Sequence, residues 1–155
     1  MFLPEVFVGF SGNDLKYFKH MIRWKEKGEF NFNLRNCHLH SVEEKENREY
    51  IQSICKNRFL LGDKYLLLIG EDTKNCNYVT WEAEIAIKNK CTIIGVNLSG
   101  AKVMEERTCP EVIKGIGAVF IPFSPKIVKY AIENYKMNSA GNFFYREDIY
   151  KKLGY

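Results

Sequence analysis

Glu82 is the side chain whose position in this sequence best suits chemistry. It follows a short polar loop and belongs to a segment of helical period that runs from about residue 78 to residue 88. On such a helix an apolar stripe would be formed by Val79, Ala83, Ala86 and Ile87. Glu82 lies at the border of this stripe, whereas Glu84 projects toward solvent. We therefore expect the Glu82 carboxylate to be partly desolvated, with a raised pKa.

Glu82 and Trp81 each allow a second interpretation. An acid in a first helical turn commonly does no more than complement the helix dipole, and this explanation of Glu82 stays as open as the chemical one. Trp81 could stack on a nucleobase or cover a contact with another protein.

The elements around Glu82 predict the fold. Short β-rich runs alternate with segments of helical period, without internal repeats or linkers. Strands are predicted at residues 5–10, 30–34, 65–69, 92–98 and 117–121, and helices at 13–27, 50–59, 78–88 and 125–135. This alternation implies right-handed βαβ crossovers and a parallel sheet that is covered on both faces.

The fold class is therefore α/β, a flavodoxin-like three-layer sandwich with about five strands in the order 2-1-3-4-5. Residues 1–155 form one predicted domain, with a core at about 5–135 and a segment 142–155 that docks as a short helix. In such a sheet the ligand pocket lies where the strand order reverses, at the carboxyl ends of strands 1 and 3. Residues 10–14 and 70–77 form the two loops there, and each leads into a helix start that attracts anions.

Motifs that are missing from the chain argue against several classes of protein with related folds. The chain contains neither Gly-x-x-x-x-Gly-Lys nor Gly-x-Gly-x-x-Gly, which disfavours a P-loop nucleotidase and a Rossmann dehydrogenase. A flavodoxin would need a phosphate loop of several consecutive hydroxyl residues, and this chain lacks such a loop. A response regulator needs an aspartate at the end of strand 3, and here that strand ends Leu68-Ile69-Gly70.

The composition limits the cellular location and the kinds of binding partner that we expect for this chain. With 46% apolar and 27% charged residues, the 155-residue chain has the balance of a globular protein. No apolar run reaches the length of a membrane span, and the net charge of +4 is dispersed, so neither membrane nor nucleic acid is an expected partner. Five cysteines without a Cys-x-x-Cys pair, and no secretion signal at the N-terminus, predict a reduced cytoplasmic location. Cys37, His38 and His40 lack a second pair at zinc-finger spacing, so no metal site is expected.

The segment around Glu82 resembles bacterial TIR-like domains of the Thoeris type. The resemblance is carried by Tyr50-Ile51 through Ile69-Gly70-Glu71-Asp72-Thr73, by Val79-Thr80-Trp81-Glu82-Ala83-Glu84-Ile85 and by Ile93-Ile94-Gly95-Val96, with Phe7-Val8-Gly9-Phe10-Ser11 as the opening strand. It covers roughly residues 5–98. The chain departs from the family pattern at Asn77-Tyr78, at Ala83 and at Arg35-Asn36-Cys37, where a frequent aspartate is missing.

This resemblance implies an enzyme that cleaves the nicotinamide–ribose bond of NAD, with Glu82 in the position of the catalytic glutamate. By their positions Phe10, Ser11 and Asp14 would contribute to substrate binding, and Trp81 would pack beside the pocket. NAD is the substrate, so no cofactor is implied. The product would be a cyclic ADP-ribose-type signal, made in anti-phage defence and sensed by a separate effector protein. Self-association through TIR contacts is also implied.

Two other functions compete with this interpretation. A non-catalytic TIR-like interaction module would share the fold without consuming NAD, because a fold does not determine an activity. A nucleoside deoxyribosyltransferase-like enzyme uses a related fold and also a glutamate at a glycosidic bond, but it would cleave free nucleosides.

Overall fold

The computed structural model describes residues 5–36, 46–56, 59 and 63–155. Six strands lie within these residues: β1 Glu5–Gly9, β2 Asn33–Arg35, β3 Lys64–Ile69, β4 Thr92–Asn97, β5 Ile116–Pro122 and β6 Gly141–Phe144. The α-helices of the described residues are α1 Leu15–Glu26, α2 Arg48–Lys56, α3 Asn77–Lys88, α4 Pro125–Asn134 and α5 Glu147–Lys152. Residues 57 and 58 of the predicted second helix and the Cys37, His38 and His40 cluster lie outside the described residues.

The strands form one parallel sheet in the order β2-β1-β3-β4-β5-β6. This confirms the α/β, flavodoxin-like fold class, and the reversal of strand order falls between β1 and β3. The prediction that residues 117–121 form the last strand was wrong, since β6 follows and pairs with β5. Its sequence, Gly-Asn-Phe-Phe, has only two apolar residues, and its outer position leaves part of it exposed. Such a short strand at the edge of a sheet gives little periodic signal.

Alternation along β3 divides the core into two layers. Leu66 and Leu68 belong to a buried cluster with residues of α1 and α4. Tyr65, Leu67 and Ile69 belong to the opposite cluster, which includes residues of α2 and α3. Because the side chains of a strand alternate between faces, a nearly continuous apolar strand is what a sheet covered on both sides requires.

The C-terminal segment packs on the sheet as a strand and then a helix. The predicted short helix is α5, which buries Tyr150 in the same cluster as Leu66 and Leu68. Lys102, in the loop after β4, pairs with Glu147 at 3.1 Å and lies 4.6 Å from the centre of the Tyr150 ring. The loop after β4 is thereby tied to this segment.

Within the described residues, no helix combines the length and the apolar character that a membrane span requires.

Candidate functional site at the carboxyl ends of β1 and β3

Glu82 is buried more deeply than its spacing predicts. Only 4% of the residue is exposed, and it shares the inner face of α3 with four apolar side chains: Val79, Ala83, Ile85 and Ala86. Ile85 takes the place in this stripe that was predicted for Ile87, which is only partly buried. Glu84 lies toward solvent as expected, and its carboxylate pairs with Arg48 at 2.9 Å. Two glutamates on one helix therefore occupy opposite environments.

The buried carboxylate of Glu82 has a hydroxyl partner on the sheet. Tyr65 of β3 donates a hydrogen bond from its hydroxyl to Oε1 of Glu82 at 2.7 Å, and Tyr65 itself is fully buried. Burial disfavours the ionised form of a carboxyl, whereas a donated hydrogen bond favours it. These two effects oppose each other here, and the raised pKa of Glu82 stays a prediction.

The hydroxyl and the carboxylate meet above Gly9, the last residue of β1. A Cβ atom at position 9 would lie 2.0 Å from the Tyr65 hydroxyl oxygen and 2.8 Å from Oε1 of Glu82. Contacts this short are essentially never found, so a side chain at position 9 would displace the pair. Gly9 is required for space at this point.

Tyr78 adds a second hydroxyl near Glu82. It lies one turn earlier on α3 and donates from its hydroxyl to the backbone carbonyl of Phe10 at 3.1 Å. Burial is the main cause that raises the pKa of Tyr78, and the nearby Cys76 and Glu82 raise it further. The contact ties the start of α3 to the loop after β1.

The first predicted binding loop divides between the two faces of the sheet. The ring of Phe10 stacks on Phe18 of α1 at 5.1 Å, while its carbonyl faces Tyr78. Ser11, the next residue, is buried, with 7% of its surface exposed. Asp14 ends a 3-10 turn, Gly12–Asp14, and its carboxylate lies against Gly70, where a Cβ would meet Oδ2 at 2.4 Å.

Asp14 is in an unfavourable environment for a charge. Desolvation by burial is the main cause that raises its pKa, and the nearby Asp72 adds to this effect. Lys16 and the Thr73 hydroxyl partly offset it. Within the described residues, Oδ2 of Asp14 is buried and has no hydrogen-bond partner.

A cavity of about 180 Å³ opens beside Asp14, between the loops that follow β3 and β4. The polar side chains that line it are Asp14, Tyr17, Glu71, Ser99, Glu105 and Thr108. Both oxygens of Glu71 are bound by Arg107, at 2.6 and 2.9 Å. Glu82 does not line this cavity, so the sheet edge carries two distinct polar regions.

Trp81 packs at the outside of the Glu82 region. It is partly buried against the cluster that contains Tyr65 and Leu67, as an aromatic that covers the core. Of the five predicted site residues, the structure places Phe10 and Ser11 in the loop beside Glu82. Asp14 contacts Gly70 and lines the acidic cavity instead.

No group of three or more metal-binding side chains occurs in the part of the chain that the structure describes.

Sequence reasoning missed Tyr65 and Tyr78 as members of the site. A tyrosine in the run Tyr65-Leu66-Leu67-Leu68-Ile69 carries a hydroxyl that must find a partner once the strand is buried. Tyr78 precedes Glu82 by four residues, which is the spacing of side chains that share a helix face.

The structure is an α/β domain whose parallel sheet is covered by helices, and a buried glutamate lies on the helix after β3. The family model described as "Thoeris protein ThsB, TIR-like domain" matches residues 7–103, from β1 to the loop after β4. The chain belongs to this family and is therefore a defence-related, TIR-like protein. No curated protein matches the chain.

Proposed function

We propose that this chain is an enzyme that cleaves the nicotinamide–ribose bond of NAD, with Glu82 as the catalytic carboxylate. One observation carries the proposal. Glu82 is a buried carboxylate, hydrogen-bonded by Tyr65, at the carboxyl end of β1, where the strand order reverses. Ligands of open α/β sheets bind at that point, and membership of the TIR-like family is compatible with NAD chemistry.

The reaction asks for a fixed negative charge. The bond between the ribose C1′ and the nicotinamide nitrogen breaks, and its electron pair neutralises the pyridinium nitrogen. The ribosyl group is left as an oxocarbenium-like cation, which a carboxylate close to C1′ stabilises by charge. Addition of water and loss of a proton give ADP-ribose. Attack by a nucleophile of the same molecule, again with loss of a proton, gives a cyclic product.

We further propose that the product is a cyclic ADP-ribose-type signal, sensed by a separate effector protein during phage infection. Self-association through TIR contacts would bring a second copy to the pocket. Phe10, Ser11 and Asp14 would then contact the nucleotide and Trp81 would pack beside it. No cofactor, membrane or nucleic acid takes part in this scheme.

The test is to incubate concentrated protein with NAD and to separate the products by mass-resolved chromatography. Nicotinamide release by the unaltered chain should fall at least about 100-fold in Glu82→Gln, which removes a charge that faces the developing cation. Glu84→Gln is the matched control, since this residue lies on the same helix but is paired with Arg48 at the surface. It should retain the activity. The product mass then separates hydrolysis from cyclisation.

A non-catalytic interaction module is the second candidate, and one observation favours it. With 4% exposure, the Glu82 carboxylate reaches a substrate only after its neighbours move. Absence of nicotinamide release at high protein concentration, with crowding agent and with extract of infected cells, would support this module. Cleavage of free deoxynucleosides without NAD cleavage would instead indicate a deoxyribosyltransferase-like enzyme.

A further inference from the structure

Tyr65 is the partner of Glu82 that is most firmly fixed by the fold. Its strand is paired on both sides, so that Tyr65 lies opposite Phe7 of β1 and Ile93 of β4. The ring of Phe59 meets the ring of Tyr65 edge-on at 5.7 Å. A fully buried ring held by two strands and a third aromatic has little freedom to turn. Its hydroxyl is therefore delivered to one place, above Gly9.

Other titratable groups lie on the elements around Glu82, and Tyr78 is close enough for Glu82 to raise its pKa. Tyr78, on the same helix, donates its hydroxyl to the carbonyl of Phe10. The residues of β1 from Val6 to Gly9 and those of β4 carry no titratable side chain. On the elements that pack against α3 from outside, Arg48 pairs with Glu84 and Glu111 pairs with Lys114. The other titratable side chains of α2 are the exposed Glu49 and Lys56, the half-buried Tyr50 and the buried Cys55.

We propose that Tyr65 is a positioning residue that keeps the Glu82 carboxylate ionised and fixed in direction, within the space that Gly9 leaves open. The inference rests on the proposed function, for which it names the residue that prepares the catalytic group. Burial of Glu82 opposes the ionised form that must face a ribosyl cation. The hydrogen bond from Tyr65 favours that form, because a phenol donates more strongly to a carboxylate than to a neutral carboxyl.

The experiment compares the unaltered chain with Tyr65→Phe, which removes the hydroxyl and keeps the ring. Glutamate labelled with carbon-13 at the side-chain carboxyl reports ionisation by NMR, and Glu82→Gln assigns the signal. The pH dependence of nicotinamide release gives a second, independent readout. Tyr150→Phe is the matched control, since it removes a buried phenol oxygen from the opposite layer of the core.

In Tyr65→Phe the titration midpoint of Glu82 should rise by about one pH unit, the effect expected from loss of one hydrogen bond to a charged group. The acidic limb of the activity profile should move upward by the same amount. Tyr150→Phe should move neither. A midpoint that is unchanged, or an activity that falls equally at every pH, would overturn the role of Tyr65.

One further result separates this inference from the proposed function. If no variant releases nicotinamide but the Glu82 midpoint still rises in Tyr65→Phe, the enzymatic proposal fails and the control of Glu82 by Tyr65 stands. If Tyr65→Phe does not fold, 3-fluorotyrosine at position 65 replaces it as the test. This stronger donor should lower the Glu82 midpoint, and an unchanged midpoint would refute the inference.

Discussion

At the carboxyl ends of β1 and β3, two carboxylates lie above two glycines. Glu82 lies with Tyr65 over Gly9, and Asp14 lies over Gly70. Because side chains alternate along a strand, the two sites open on opposite faces of the sheet. In each, the missing Cβ provides the space that a carboxylate occupies. The geometry is shared, but the electrostatic environments differ.

At the Gly9 site a buried phenol donates to Glu82, whereas at the Gly70 site Asp14 faces Asp72 and has a buried oxygen without a partner in the described residues. A donor at hydrogen-bond distance offsets the cost of removing water from a charge. A second carboxylate raises the cost of the charge further, because like charges repel. Space alone therefore does not make a site suited to a charge. The first site is built to hold one, and the second tolerates one.

Alanine at the two glycines should give the largest contrast in stability. Gly9→Ala forces a Cβ into a buried, well-packed pair and should lower the free energy of unfolding by about 3 kcal/mol, at the upper end of over-packing effects. Gly70→Ala meets only the end of a partly exposed side chain and should lower it by about 1 kcal/mol. Urea denaturation followed by circular dichroism measures both values.

The same two variants should also separate in function. If the Gly9 site carries the chemistry, Gly9→Ala abolishes nicotinamide release at temperatures where the variant remains folded. Gly70→Ala should retain at least part of it. Equal losses of stability in the two variants would show that the space above Gly9 is not special.

Asp14→Asn should change the electrostatic difference between the two sites. The pKa of Asp14 is raised by burial and then by Asp72. A raised pKa in the folded state gives stability that is complete below the unfolded value, about 3.9, and is lost as pH rises through the folded value. The ionised form therefore costs stability at neutral pH, and Asp14→Asn removes that cost.

The gain in unfolding free energy should be below about 1 kcal/mol at pH 7, because Asp14 is only partly buried and solvent screens its charge. It should disappear near pH 3.5, where Asp14 of the unaltered chain is mostly protonated. Denaturation curves at both pH values test this difference. A gain that is larger at pH 3.5 than at pH 7 would contradict the sign of the pKa shift.

The smallest effect is expected at the surface of α3. Arg48→Ala removes the partner of Glu84. Because this ion pair is exposed, its loss should change the free energy of unfolding by less than about 0.5 kcal/mol. The effect should decrease further in high salt. A loss of nicotinamide release in this variant, measured beside Glu82→Gln, would mean that the outer face of α3 takes part in the site.

The sequence was sufficient to predict most of the sheet, because β3 and β4 are apolar runs of a length typical of buried strands. It also distinguished Glu82 from Glu84, because residues two positions apart on a helix point in nearly opposite directions. Strand β6 could not be predicted, because four residues with two phenylalanines carry no usable period. The partnership of Tyr65 with Glu82 joins residues 17 positions apart, and such a contact depends on how β3 packs against α3.

The close approach of Gly9 and Tyr65 also constrains how this sequence can change over evolutionary time. A side chain at position 9 is incompatible with the hydroxyl at position 65, but it conflicts less with a ring that lacks the hydroxyl. The two positions should therefore vary together. Among relatives, tyrosine at 65 should accompany glycine at 9, and an alanine or serine at 9 should appear only where the tyrosine has been replaced first.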